Sequence, residues 1–197
     1  ALVGEVRTGL RDLSDAIGST SGAAAKQRAE RVKAAVKANR VKIVASVKAN
    51  SGRSPIHPEE LGAVLARTLD KDAIVVVENL TGKYESFPFG YQDDQQQYFT
   101  NLGLGLGWGV GAATGAKLAA PDRQVVCTIG DGSVMYSASG FWTQARYHIP
   151  VLTIVYNNKN YQTVRHAYHT YQGKMAASNK YVGMYLGDPD IDFVQLA

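Results

Sequence analysis

Three short apolar runs after residue 72 constrain the fold more than any other feature of this sequence. They span residues 73–77, 124–129 and 151–156, and none of them alternates with polar residues. Runs of this length without alternation are typical of strands that are buried on both faces of a sheet. Helical patterns at 104–120 and from Ser133 to about Tyr147 separate the second run from its neighbours. The sequence therefore predicts an α/β fold with a parallel sheet flanked by helices.

The first 52 residues have a different pattern. Two helical stretches are predicted near 2–17 and 22–39, and the apolar spacing of the second continues past Asn39. We interpret residues 1–52 as the helical tail of a preceding domain with its linker, and 53–197 as the α/β domain. That domain is expected to be incomplete at its C-terminus, because its last seven residues resemble the opening of a helix with no strand after it.

The charge is unevenly distributed. The net charge is +4, and residues 1–50 carry ten Lys or Arg against four Asp or Glu. A basic segment can bind nucleic acid, but this one has neither interleaved aromatic residues nor a known reader motif. A solvated helix face is therefore favoured over nucleic-acid binding.

Targeting and redox features are few. No apolar run approaches the roughly 20 residues that a membrane span needs, and no signal-peptide pattern is present. The single cysteine, Cys127, lies in an apolar run and is predicted to be a buried structural thiol. These features predict a cytoplasmic protein without a membrane partner.

The segment Gly130-Asp131-Gly132-Ser133 joins a predicted strand to a predicted helix. The two glycines allow a tight turn and a close backbone approach, and the start of a helix presents N–H groups to an anion. Asp131 adds a carboxylate at the same place. A carboxylate beside an anion site requires a cation between them, and Mg²⁺ commonly bridges a carboxylate and phosphate oxygens.

A second polar pair follows the next strand. Twenty-four residues lie between Gly132 and Asn157, which is enough for one helix and one strand. Asn158 can then offer its amide oxygen to the same metal, and the loop 159–161 can offer a backbone carbonyl. Each motif alone is more often a turn or a strand-ending loop. At this spacing, with apolar strands before both, they predict a metal site.

Gly-Asp-Gly followed about two dozen residues later by Asn-Asn resembles the motif of thiamine-diphosphate (ThDP) enzymes. Residues 101–161 are similar to the diphosphate-binding domain of the decarboxylase and acetolactate synthase group, and 107–119 resemble the helix before its Gly-Asp-Gly. The segments 141–143 and 147–150 resemble benzoylformate decarboxylase in particular. The resemblance covers roughly residues 54–197 and implies the ThDP-binding fold, with a middle domain before it.

The resemblance also implies roles for individual residues. Asp131 and Asn158 would bind Mg²⁺ through their side chains, and Asn160 through its carbonyl. Leu106 would stand beneath the thiazolium ring and force the cofactor into its bent shape. The remaining cofactor-binding residues that the resemblance implies are Thr81, Gly130, Gly132, Ser133 and Tyr161.

The catalytic residues are less well defined. His166 and His169 fall in a segment that closes over substrate in relatives, and neutral histidine suits proton transfer near pH 7. Each is nevertheless more often a surface histidine. The resemblance implies that the activating glutamate lies on a pyrimidine-binding domain of the same or a neighbouring subunit, because neither Glu78 nor Glu85 lies in a matching context.

These features predict a ThDP- and Mg²⁺-dependent 2-oxo acid decarboxylase, built as a homodimer or homotetramer. The chain would be its diphosphate-binding part and inactive alone. A fragment of a longer enzyme is favoured, while one of two subunits or a cofactor-binding remnant remain open. Acetolactate synthase-like and 2-hydroxyacyl-CoA lyase-like activities are alternatives, as is a module without activity. A degenerate dinucleotide fingerprint at 107–112 is rejected, because no apolar strand directly precedes it.

Overall fold

The structure is a computed structural model and describes residues 4–20, 22–79, 98–101, 103 and 105–197. The chain forms two compact units, Ala1–Ala49 and Asn50–Ala197. Among the described helices, none has both the length and the apolar character required to cross a membrane.

The first unit consists of two helices, α1 (Val6–Thr20) and most of α2 (Ala23–Asn50). The second predicted helix therefore continues well past Asn39, as its apolar spacing indicated. No residue of α2 is buried, and the apolar residues that recur along α1 are more than half exposed, namely Val6, Leu10, Leu13 and Ile17. These helices present apolar side chains without enclosing a core among the described residues.

The second unit contains a four-stranded parallel sheet with strand order β2-β1-β3-β4. The predicted α/β class with a parallel sheet flanked by helices is thus confirmed. Its elements are α3 (Pro58–Thr68), β1 (Ile74–Glu78), β2 (Tyr98–Thr100), α4 (Trp108–Ala119), β3 (Val125–Gly130), α5 (Asp131–Val134), α6 (Ser139–Arg146), β4 (Leu152–Tyr156), α7 (Gln162–Thr170), α8 (Lys174–Ser178) and α9 (Phe193–Leu196).

The core forms where α4 packs against β1 and β3. Successive side chains of a strand point to opposite faces, and alternate residues of both strands join Val110 and Ala113 of α4 in one buried cluster. Val126 and Thr128, on the opposite face of β3, are also fully buried. Burial on both faces explains why this strand reads as a continuous apolar run.

The sequence pattern does not predict strand β2, since residues 79–100 have the polar and aromatic character of a loop; residues 98–100 nevertheless pair in parallel with β1. Three residues are too few to show a strand periodicity. Phe99 packs against the core cluster, so a tertiary contact accompanies a strand that the local pattern does not reveal.

Two predicted helices also differ from the structure. The helix expected at 104–120 begins only at Trp108, because Gly107 has a positive φ of 87° that reverses the chain direction. The helix expected from Ser133 to Tyr147 is divided into α5 and α6 by turns at 135–138. A β-carbon placed on Gly107 would lie 2.8 Å from the Tyr136 β-carbon, so the loop before α4 lies against this interruption.

Cys127 provides a test of the core. Burial, with a smaller contribution from the nearby Glu78 carboxylate, raises the pKa of Cys127 to about 12. We expect this thiol not to react with a thiol reagent at pH 8 until the protein is unfolded, because the thiolate is the reactive species. Labelling of the folded protein at the rate of an exposed thiol would contradict this packing.

The raised pKa of Cys127 also makes stability depend on pH. The thiol ionises at lower pH in the unfolded chain than in the folded protein, so the free energy of unfolding declines as pH rises from about 9 towards 12.

Candidate metal and cofactor site

The sheet register brings the two sequence motifs together. Gly130, the last residue of β3, pairs with Tyr156, the last residue of β4. Asp131 and Asn157 therefore leave adjacent strands at the same edge. Glu78 ends β1 opposite Ile129 of β3 at this edge. The strand order reverses direction along the chain between β1 and β3, which is where parallel α/β sheets bind ligands.

Asp131 is a buried acidic residue of this site, with only 3% of its surface exposed. Its Oδ1 accepts a hydrogen bond from the Gly132 N–H at 2.9 Å, while its Oδ2 is buried and has no hydrogen-bond partner. Burying a carboxylate oxygen without a partner is costly. A cation bound at Oδ2 would remove that cost, so the residue fits a metal ligand.

The Asn157-Asn158 turn presents further oxygen atoms. Asn158 Oδ1 accepts a hydrogen bond from the Asn160 N–H at 2.9 Å, and the Asn160 side-chain amide donates to the Asn158 carbonyl at 3.1 Å. The first of these bonds restrains the Asn158 side chain, and the second restrains its backbone carbonyl. An amide oxygen has two lone pairs, so Asn158 Oδ1 can accept this hydrogen bond and still bind a metal.

A downstream segment holds this turn in place. Asn160 forms an antiparallel bridge with Tyr185, flanked by hydrogen bonds from Tyr161 N–H to the Met184 carbonyl and from Leu186 N–H to the Lys159 carbonyl. This pattern leaves the Asn160 carbonyl out of the bridge. Lys159 also pairs with Asp190 at 2.5 Å, and that hydrogen bond raises the pKa of Lys159.

These residues enclose a small pocket of about 110 Å³. The pocket is smaller than the roughly 300–1,000 Å³ of sites that enclose a whole ligand, so it can hold one end of a larger molecule. Its lining includes every metal- or cofactor-binding residue predicted within the described ranges, namely Leu106, Gly130, Asp131, Gly132, Ser133, Asn158, Asn160 and Tyr161. Thr81 lies outside the described residues.

The donors suit a hard cation. Within the described ranges, no three His, Cys, Asp or Glu side chains converge as a metal-binding group. The oxygen atoms at the pocket instead belong to the carboxylates of Asp131 and Glu78, to hydroxyl and amide side chains and to the backbone. Such a set matches the oxygen preference of Mg²⁺ rather than the nitrogen and sulfur preference of softer metals.

The two candidate histidines do not line this pocket. Both lie on α7 and are exposed. His169 Nδ1 is 3.0 Å from the Tyr181 hydroxyl, which occupies one ring nitrogen on the surface. The first turn of α7 does reach the pocket, through residues 162–164.

Tyr161 closes one side of the pocket by packing against Gly132. A β-carbon on Gly132 would lie 2.5 Å from Tyr161 Cε1, so the close contact depends on glycine at this position. Burial raises the pKa of the Tyr161 hydroxyl, with contributions from Tyr136, to which it is hydrogen-bonded, and from the negative charge of Asp131. The phenol is therefore neutral near pH 7.

Sequence reasoning missed the role of Glu78 in this lining. The residue is 6% exposed, and its carboxylate accepts hydrogen bonds from the Gly107 and Gly109 N–H groups. The signal was available, because a single acidic residue directly after the apolar run 73–77 is unusual unless it is paired. Sequence reasoning missed helix α7 as well. None of its residues is buried, so the sequence shows no apolar face there.

The contact between Gly132 and Tyr161 makes a testable prediction. Gly132→Ala should displace the Tyr161 ring and lower the free energy of unfolding by about 1–3 kcal/mol, the usual cost of overpacking. Gly111→Ala is the matched control, because a β-carbon there meets nothing within 4 Å and alanine favours a helix interior by about 0.5–1 kcal/mol. Denaturant unfolding of both variants measures the difference. Equal stability of the two would contradict the close packing.

Comparisons with known proteins identify the family of this chain. Residues 81–197 match the family described as thiamine pyrophosphate enzyme, C-terminal TPP binding domain, thiamine pyrophosphate being another name for ThDP. Benzoylformate decarboxylase of Pseudomonas aeruginosa is 35% identical over 111 residues, covering 56% of this chain and 21% of that protein. The acetolactate synthase large subunit of Parasynechococcus marenigrum is 33% identical over 145 residues, covering 72% and 22%.

A solved structure shares the fold. The ThDP-dependent 4-hydroxybenzoylformate decarboxylase of Rhodococcus jostii RHA1 matches with a TM-score of 0.63 and 35% identity, over 72% of this chain and 26% of that one. The chain spans between 21% and 26% of the length of these three relatives. With the family match extending over more than half of its residues, the chain belongs to the ThDP enzymes and carries their C-terminal cofactor-binding domain.

Proposed function

We propose that the intact protein is a ThDP- and Mg²⁺-dependent decarboxylase of a 2-oxo acid, and that this chain binds the diphosphate and the metal. One observation carries the metal assignment. Asp131 Oδ2 is buried without a hydrogen-bond partner in the pocket that Asn158 and Asn160 also line. Asp131, the Asn158 amide oxygen and the Asn160 carbonyl would then hold Mg²⁺.

The other pocket residues have distinct proposed tasks. Ser133 and the neutral Tyr161 would lie beside the diphosphate, and Gly130 and Gly132 would allow its close approach. Leu106 would supply an apolar surface against the thiazolium ring; it lines the pocket and is 40% exposed, so it is available for contact. When bound, ThDP supplies a nucleophilic carbon and an electron sink for loss of CO₂ from a 2-oxo acid.

Similarity to two enzyme classes informs the choice of reaction. The residues at 141–143 and 147–150 resemble benzoylformate decarboxylase, and two of the relatives above are decarboxylases of this kind. An acetolactate synthase is also among them. Decarboxylation of an aromatic 2-oxo acid is therefore our first proposal, and a carboligase or 2-hydroxyacyl-CoA lyase reaction is the second.

A second domain is needed for activity in this proposal. Glu78 is already engaged by two backbone N–H groups, which makes it a poor activator of the cofactor. We propose that a pyrimidine-binding domain of the same or a neighbouring subunit supplies the activating glutamate, in a cytoplasmic homodimer or homotetramer. Residues 1–52 would belong to a preceding middle domain, which is supported by the exposed apolar residues of α1.

Cofactor binding provides the first test. Isothermal titration of the intact protein with ThDP should show binding that requires Mg²⁺. Asp131→Asn should weaken it by more than the roughly 10–100-fold typical of losing an outer-shell partner of a metal. Asp122→Asn is the matched control, since Asp122 is exposed before the start of β3, at the opposite end of the same strand.

Three results would count against the metal assignment. These are ThDP binding that is independent of Mg²⁺, Asp131→Asn with unchanged affinity, and equal losses in both variants. Absence of ThDP binding by a folded, intact protein would favour the alternative of a module without its own activity.

The reaction itself requires a separate measurement. We expect the intact protein with ThDP and Mg²⁺ to release CO₂ from benzoylformate without a second substrate, because the decarboxylase resemblance is stronger at 141–150. Acetolactate formation from pyruvate would support the carboligase alternative instead. The isolated 197-residue chain should show no turnover, and activity without a second polypeptide would contradict the need for a separate glutamate.

A further inference from the structure

We propose that Glu78 is a positioning residue that holds Leu106 in place at the floor of the pocket. This inference rests on the proposed ThDP site, but it concerns a contact within this chain. Glu78 is the last residue of β1 and is 6% exposed. Its Oε1 accepts a hydrogen bond from the Gly107 N–H at 2.6 Å, and its Oε2 accepts one from the Gly109 N–H.

The two hydrogen bonds cap helix α4 from a distance in sequence. The first N–H groups of a helix lack hydrogen-bond partners within the helix. The N-cap residue of α4, Gly107, has no side chain that could supply one. Glu78 binds two of these groups from 29 and 31 residues earlier in the chain. A carboxylate at this end also interacts favourably with the helix dipole.

The same bonds fix the residue before Gly107. The Gly107 N–H belongs to the planar peptide group that joins Leu106 to Gly107, so a bond to this N–H restrains the backbone that carries Leu106. On its other side, Gly107 lies against the connection between α5 and α6. The Leu106 side chain is consequently placed in the pocket lining by a backbone held from two directions.

Glycine at position 109 makes the contact possible. A β-carbon there would lie 2.9 Å from Glu78 Oε2 and 3.1 Å from the Glu78 β-carbon. A side chain at 109 would thus push the carboxylate away from the N–H groups. The end of β1 and the start of α4 therefore approach closely because Glu78 accepts the hydrogen bonds and Gly109 leaves space for its side chain.

Amide hydrogen exchange tests the contact without any cofactor. In the intact, cofactor-free protein, Glu78→Gln should accelerate exchange of the Gly107 amide, the Gly109 amide or both by about tenfold or more, because the side-chain NH₂ cannot accept a hydrogen bond and only one acceptor oxygen remains for the two N–H groups. Exchange in β4 should not change. Glu60→Gln is the matched control, since Glu60 also accepts from a glycine N–H, that of Gly52, at an exposed position. Unchanged exchange in Glu78→Gln would overturn the proposal.

A double-mutant cycle tests whether Glu78 acts through Leu106. With Mg²⁺ present, Glu78→Gln and Leu106→Ala should each weaken ThDP binding by about tenfold, and the double variant should be no weaker than Leu106→Ala by more than about twofold. Additive losses would overturn the inference. So would loss of turnover in Glu78→Gln with unchanged exchange and unchanged ThDP affinity, because this would indicate a direct catalytic role.

Two further controls separate the possible failures. If Glu78→Gln does not fold, Glu78→Asp keeps the charge but shortens the side chain, and should give exchange rates between those of the wild type and a fully released loop. Exchange at the wild-type rate would overturn the proposal. If the wild type does not bind ThDP, the proposed function fails and the inferred role of Leu106 fails with it, while the exchange result still reports whether Glu78 holds the loop.

Discussion

The parallel pairing of β3 with both β1 and β4 is the constraint on which the site depends. Because the three strands end together, Glu78, Asp131 and Asn157 emerge at one edge of the sheet. The pairing is secured by a strand that is buried almost throughout. The polar groups are thus positioned by apolar packing several residues away rather than by contacts among themselves.

Two buried carboxylates at this edge have opposite environments. Both oxygens of Glu78 accept backbone hydrogen bonds, whereas Asp131 has one oxygen bonded and the other without a partner. The hydrogen-bonded carboxylate of Glu78 stabilises the fold, whereas Asp131 retains one oxygen that can still accept a bond. Burial alone therefore does not distinguish these two carboxylates, and the hydrogen bonds of their oxygens do. Under the proposed function, the unpaired oxygen of Asp131 would bind the metal.

The sequence was sufficient for three of the strands, because these depend on local patterns, and the residues that it predicts as metal ligands line one pocket. The apolar runs locate β1, β3 and β4 to within a residue or so, and the 24-residue crossover anticipates the pairing of Gly130 with Tyr156. What could not be predicted depends on contacts distant in sequence. Strand β2 forms beside β1, and the start of α4 is set by a turn at Gly107 and by Glu78.

The loop 159–161 is held by residues 184–190 as well as by hydrogen bonds to Asn157 and Asn158. This arrangement makes the downstream segment a thermodynamic participant in binding. If the bridged loop binds a ligand more tightly than an unbridged loop would, ligand binding stabilises the bridge by the same free energy, because coupling between two equilibria is reciprocal. Under the proposed function, a residue such as Asp190, outside the pocket, would contribute to affinity through the population of the assembled loop and without touching the ligand.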